Sequence, residues 1–116
     1  MSSNPILEIV ANEYEGREYE VKIVCPEFTC VCPRTGQPDF AVIRISYIPD
    51  SGIVELKSLK LYLASFRNKG IFHEHVTNHI LDDFVAASQP ISCVVEGDFN
   101  MRGGIKTLVR AEYRKS

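Results

Sequence analysis

A chain of 116 residues fits one compact domain and leaves no room for a separate doubly wound cofactor domain, so a large ligand must be held by this domain or shared between copies of it. A hydrophobic fraction of 45%, with six Phe, five Tyr and no Trp, excludes a disordered chain. Thirteen Lys and Arg against fifteen Asp and Glu give a formal net charge of -2, which calls for neither a nucleic-acid nor a membrane partner.

Met1 to Pro5 holds no basic region followed by an apolar run, and no stretch approaches the roughly 18 apolar residues of a membrane span. The expected location is the cytosol, where Cys25, Cys30, Cys32 and Cys93 are free thiols.

Residues 1–16 are polar and mixed and read as a loose N-terminal arm; residues 17–116 form the domain. From Arg17 to Val24 the two-residue period of a half-buried strand puts Tyr19, Val21 and Ile23 on one face. Cys25 to Asp39 contains Pro26, Pro33, Gly36 and Pro38 and reads as a long punctuated loop. Phe40 to Ile48 is a second strand, closed by turn residues Pro49-Asp50-Ser51-Gly52.

The period then changes. Glu55 to Asn68 reads as a helix with Leu56, Leu59, Leu63 and Phe66 on one stripe and Gly70 placed to stop it. Phe72 to Ala87 is a second helix with Phe72, Val76, Ile80, Phe84 and Ala87 inward. Ser92 to Phe99 and Ile105 to Tyr113 return to strand, joined by Asn100-Met101-Arg102-Gly103-Gly104. The class is α+β: an antiparallel four-stranded sheet with two helices between strands 2 and 3. Helices on one face leave the other face and the sheet edges uncovered, so oligomerisation is expected.

Chemistry concentrates in the loop after Cys30. Cys32 and Asp39, seven residues apart in rigid turns, offer a nucleophile and a proton donor or acceptor. By spacing alone they also read as a buried structural cysteine and a turn aspartate, the commoner use of both. Cys30-Val31-Cys32 with His75 and His79 departs from the spacing of structural zinc sites, and no metal is expected. Lys57 and Lys60, three apart on one exposed helix face, could grip a phosphate or be a solvated lysine face. Arg67 follows on a similar face, and Arg102 stands beside Gly103 and Gly104, where backbone can approach a ligand closely. His73 and Glu74 open the second helix, where Glu74 by position alone is favourable helix-start electrostatics.

Taken together, four ordered segments resemble the NADPH-dependent 7-cyano-7-deazaguanine reductases of the single-module kind: Cys32-Pro33-Arg34-Thr35-Gly36-Gln37-Pro38-Asp39, Glu55-Leu56-Lys57-Ser58-Leu59-Lys60-Leu61-Tyr62, Phe72-His73-Glu74 and Arg102-Gly103-Gly104. The resemblance implies the tunnelling fold, assembled as a homo-oligomer of two stacked pentameric rings with pockets between subunits. It implies NADPH as cofactor, a small deazapurine nitrile as substrate, and a place in queuosine synthesis for tRNA modification, without direct nucleic-acid binding. In its terms Cys32 adds to the nitrile, Asp39 supplies a proton and His73 assists proton movement and orientation. Glu74, Glu55, Leu56, Ser58 and His73 line the substrate site, and Lys57, Ser58, Lys60, Arg102 and Gly103 bind the cofactor. The rivals are an amidinotransferase that adds ammonia to the same nitrile, a zinc-dependent cyclohydrolase of the same fold, and a non-catalytic binding module of this fold.

Overall fold

The structure, a computed structural model, describes residues 6–116. In chain order it comprises β1 (Ile9–Ala11), β2 (Val21–Val31), β3 (Pro38–Ile48), β4 (Gly52–Val54), α1 (Leu56–Ala64), α2 (His73–Ser88), β5 (Ser92–Arg102) and β6 (Ile105–Arg114). The four long strands form one antiparallel sheet in the order β2-β3-β5-β6, and β1 pairs with β4 as a separate two-stranded ribbon.

Strict alternation makes β3 the centre of this arrangement. Asp39, Ala41, Ile43, Ile45 and Tyr47 are buried, while Phe40, Val42, Arg44 and Ser46 occupy the other face. Both helices cover the first face. α2 lies across β5 and β6 with Val76, Ile80 and Phe84 fully buried, and Phe84 meets Tyr47 edge to face at 4.8 Å. α1 buries Leu59, Tyr62 and Leu63, and Phe66 just beyond it reaches Phe28 of β2 at 5.9 Å. The opposite face is left bare by the chain, with Val24 and Leu108 about 60% exposed.

Several sequence expectations require correction. The stretch expected to be a loose arm contains β1, whose three residues pair with Gly52 to Val54; Met1 to Pro5 lie outside the described residues. The long loop is mostly strand: β2 runs on to Val31 and β3 starts at Pro38, leaving six residues between them. Prolines are tolerated because β2 is an edge strand and a bulge between Cys25 and Phe28 takes Pro26 and Glu27 out of the ladder. α1 stops at Ala64, well before Gly70, and the following residues continue as tight turns. Leu56, expected on the buried stripe, is 61% exposed, and Phe72 is likewise exposed; both stand at the open ends of their helices.

Close packing of α2 on the sheet depends on one glycine. A Cβ on Gly97 of β5 would lie 2.6 Å from Thr77 Oγ1 and 2.7 Å from Phe99 Cε1. Gly97→Ala therefore has to push α2 off β5 or rotate Phe99, and overpacking of this kind costs about 1–3 kcal/mol. Urea denaturation of the variant checks this; an unchanged midpoint would show that the helix yields at no cost.

Candidate active site

The six residues between β2 and β3 form a closed turn. Cys32 N–H donates to Gln37 O at 2.8 Å, Gly36 N–H returns to Cys32 O at 2.9 Å, and Gly36 supplies the positive φ of 74°. Within it, Thr35 Oγ1 accepts from Gln37 N–H at 3.2 Å and from Arg102 Nη1 at 3.4 Å. With its lone pairs so used, the hydroxyl hydrogen is left for the Cys32 sulfur. The Thr35 hydroxyl, the Thr35 and Arg34 backbone N–H groups and the nearby Arg102 charge hold the Cys32 thiol below its ordinary pKa.

The other three cysteines go the opposite way. Burial pushes Cys25 up, drives Cys30 to about 11 with help from the Asp39 charge, and drives Cys93 to about 12. Cys32 alone is shifted toward the thiolate, and its partial exposure removes its reading as a buried structural cysteine.

Asp39 is buried and faces Cys30 across the β2–β3 ladder. Arg102 Nε lies 2.8 Å from its Oδ1 and His73 Nε2 3.2 Å from its Oδ2, both within ion-pair distance. Arg102 reaches it from the end of β5 and is fixed by a hydrogen bond from Nη2 to Pro38 O at 2.8 Å. His73, the first residue of α2, is aimed by Phe99: the rings stack at 3.9 Å and 5°. Three elements thus converge on one carboxylate beside an activated thiol. The structure brings together Cys32, Asp39, His73 and Arg102, and it shows that Arg102, expected to hold cofactor, makes its bonds here to the Cys32–Asp39 turn. Thr35 and Phe99 escaped the sequence reading. Thr35 lay inside the quoted motif without a role, and Phe99 carries no signal apart from its place opposite α2.

The remaining candidates stand apart from this cluster. Glu55 caps α1, its carboxylate accepting from Lys57 N–H at 2.8 Å and Ser58 N–H at 2.7 Å, and those two donors lower its pKa. Ser58 donates to Glu55 O and accepts from Glu8 N–H, so its hydroxyl is used internally. Leu56, Lys57 and Lys60 are exposed on the same helix. Glu74 follows His73 and is exposed, and Gly103, with φ of 59°, forms the β5–β6 turn with Gly104. His79 belongs to a different contact, pairing with Asp83, which also accepts from Tyr62.

A family model described as QueF-like protein matches residues 38–116. The NADPH-dependent 7-cyano-7-deazaguanine reductase of Syntrophus aciditrophicus (strain SB) is 61% identical over 109 residues, covering 94% of this chain and 78% of the relative. The protein of the same name from Thermomicrobium roseum is 58% identical over 110 residues, covering 95% and 86%. The chain belongs to the NADPH-dependent 7-cyano-7-deazaguanine reductase family. The fold is also that of the archaeosine synthase QueF-Like, solved in the apo form, with a TM-score of 0.74 at 23% identity over 85% of this chain and 95% of that one.

For a reductase of this family the charge on α1 acquires a meaning. From Leu56 to Phe72 the chain carries Lys57, Lys60, Arg67 and Lys69 and no Asp or Glu. Arg44, Lys106, Arg110, Arg114 and Lys115 are paired with carboxylates, whereas Lys57, Lys60 and Arg67, like Arg17, Lys22 and Arg34 elsewhere, make no ion pair with a described residue. A run of available cations without a competing anion fits a polyanionic dinucleotide.

Activation of Cys32 by Thr35 is directly measurable. Thr35→Val removes the hydroxyl donor to the thiolate, so the Cys32 pKa rises and less thiolate is present at neutral pH. The rate of iodoacetamide alkylation should fall several-fold at pH 7, and its pH midpoint should move upward with the plateau rate at high pH retained. An unmoved midpoint would assign the activation to the backbone donors alone.

Proposed function

We propose that this chain reduces the nitrile of 7-cyano-7-deazaguanine to the aminomethyl group with NADPH, through a covalent thioimide on Cys32. The observation that carries the reading is a single thiol with lowered pKa beside a buried Asp39–His73–Arg102 cluster. A nitrile carbon accepts hydride poorly, and addition of a thiolate turns it into a better acceptor. The Cys32 sulfur bonds to the nitrile carbon, one C–N π bond breaks, and the proton that the thiol gives up passes by way of the Asp39 carboxylate to the nitrogen, giving the neutral thioimide. For the protons of the later steps, His73 Nε2 beside Asp39 Oδ2 is the group of this cluster that can give one up, since the Arg102 guanidinium stays charged.

NADPH, when bound, supplies one hydride to the thioimide carbon and a second molecule supplies another to the imine, so two cofactors are oxidised per nitrile. Between the two, the C–S bond breaks and Cys32 leaves as thiolate, the role for which its donors suit it. The His73 imidazole, held flat on Phe99, delivers the protons that accompany the hydrides. Glu74 would accept from the guanine-like ring N–H and amino groups, with Glu55, Leu56 and Ser58 bordering the base. Because Glu55 and Ser58 are already bonded to their own helix, these two would border the base through outward-facing atoms. Lys57, Lys60, Arg102 and Gly103 would lie along the cofactor; for Arg102 this requires exchanging part of its hold on the Cys32–Asp39 turn.

The bare sheet face and the edge strands β2 and β6 support assembly as a tunnelling fold, two stacked pentameric rings with sites between subunits. In this reading residues 17–116 are the catalytic domain, working in the cytoplasm on a free base in queuosine synthesis rather than on tRNA itself. No helix among the described residues is long and apolar enough to cross a membrane. The four cations on and after α1 favour reduction over addition of ammonia, which requires no dinucleotide.

Mixing protein, nitrile and NADPH should oxidise two NADPH per nitrile, followed at the nicotinamide absorbance. Intact mass with nitrile alone should show one adduct, absent in Cys32→Ala; an adduct persisting there would transfer the role to another cysteine. Asp39→Asn keeps the shape but can no longer take up a proton and pass it on, and turnover should fall by roughly 10²–10⁴. Glu74→Gln presents one acceptor fewer and should weaken nitrile binding by roughly ten- to a hundred-fold while sparing NADPH; calorimetry with each ligand decides.

A further inference from the structure

Beside the bulge of β2 the chain leaves an open groove of about 350 Å³. One wall is the stripe Lys60, Leu63, Ala64 and Arg67, spaced i, i+3, i+4 and i+7 along α1 and the turns that follow it. The other is β2 around Pro26 and Glu27, pushed outward where the ladder is interrupted. Its floor is apolar, from Phe28 and Leu63, and two cations in no ion pair stand at its rim with a single carboxylate.

Each wall asks for a different part of one molecule. A flat apolar floor takes a heteroaromatic ring, a carboxylate accepts from an exocyclic amine, and Arg67 offers a forked guanidinium that matches a dianionic phosphate in two bonds. The volume is at the lower end of the roughly 300–1,000 Å³ of small-molecule pockets, enough for half a dinucleotide. Its place along the strand says which half. Pro26 is six residues from Cys32, on the order of 20 Å at about 3.3 Å per residue, too far for the end that must touch the thioimide.

We infer that this groove is the adenosine 2′-phosphate subsite, with Arg67 the residue that selects NADPH over NADH; the inference rests on the reductase reading. Lys60 and Arg67 share the phosphate charge, Phe28 and Leu63 take the face of the adenine, and Glu27 accepts from its amino group. Lys57, a turn earlier on α1, is left for the diphosphate.

Calorimetry with adenosine 2′,5′-bisphosphate and with 5′-AMP tests this on the intact protein without the reaction. The wild type should prefer the bisphosphate at least ten-fold; Arg67→Gln should reduce that preference below about three-fold, with AMP affected far less, and Arg67→Lys should recover part of it. In steady state the NADPH over NADH ratio of kcat/KM should fall in parallel. A preference intact in Arg67→Gln, absent in the wild type, or matched by inorganic phosphate alone would overturn the assignment, as would equal loss of both nucleotides. Failure of the wild type to oxidise NADPH with the nitrile would instead sink the reductase reading.

Discussion

One buried carboxylate organises the functional end of this molecule. Asp39 sits on the helix-covered face of β3, where an uncompensated charge would be costly, and the chain supplies a cation from the end of β5 and an imidazole from the start of α2. Neither partner reaches it by local sequence. Arg102 comes from the neighbouring strand β5 and His73 from the helix layer, so the pairings exist only when β3, β5 and α2 are docked. The same contacts that neutralise Asp39 fasten the Cys32 turn, because Arg102 also bonds Pro38 O and Thr35 Oγ1. Folding and activation of the thiol are therefore one event.

This coupling explains which features were legible beforehand. The alternation of β3 and the stripe Val76, Ile80, Phe84 of α2 are strong periodic signals, and both elements stand within two residues of where periodicity puts them. β1 was invisible because three residues cannot display a period, and its only support is pairing with Gly52 to Val54. The proline-rich stretch misled for a different reason: breaker density assumes an interior strand, whereas an edge strand with a bulge leaves Pro26 no hydrogen bond to lose. Leu56 fitted the 3.6 period and still ended exposed, since the stripe begins where Glu55 caps the helix and turns the first residue away from the sheet.

For the site, residue types were readable and partnerships were not. Cys32, Asp39 and His73 could be picked as reactive groups from motif and chemistry. That Arg102 would face Asp39, that Phe99 would lie flat on His73, and that Thr35 would be the donor to sulfur all depend on strand register and helix placement. Electrostatics adds what spacing could not: four cysteines look equivalent in a sequence, yet burial raises three of them and a turn lowers one.

The pair Cys30 and Cys32 shows how finely that difference is drawn. Two residues apart in the chain, both feel the Arg102 charge, and Cys30 feels the Asp39 charge as well. Cys30 is sealed beneath the sheet surface opposite Asp39, so the carboxylate adds to desolvation in keeping it protonated. Cys32 stands one step beyond the ladder, where the chain leaves strand geometry and the freed backbone N–H groups of Arg34 and Thr35 can turn toward the sulfur. A longer β2 would pair those donors with β3 and leave the thiol ordinary. Ending the strand at Val31 is thus itself part of the chemistry, and the turn closed by Cys32 N–H on Gln37 O and Gly36 N–H on Cys32 O follows directly.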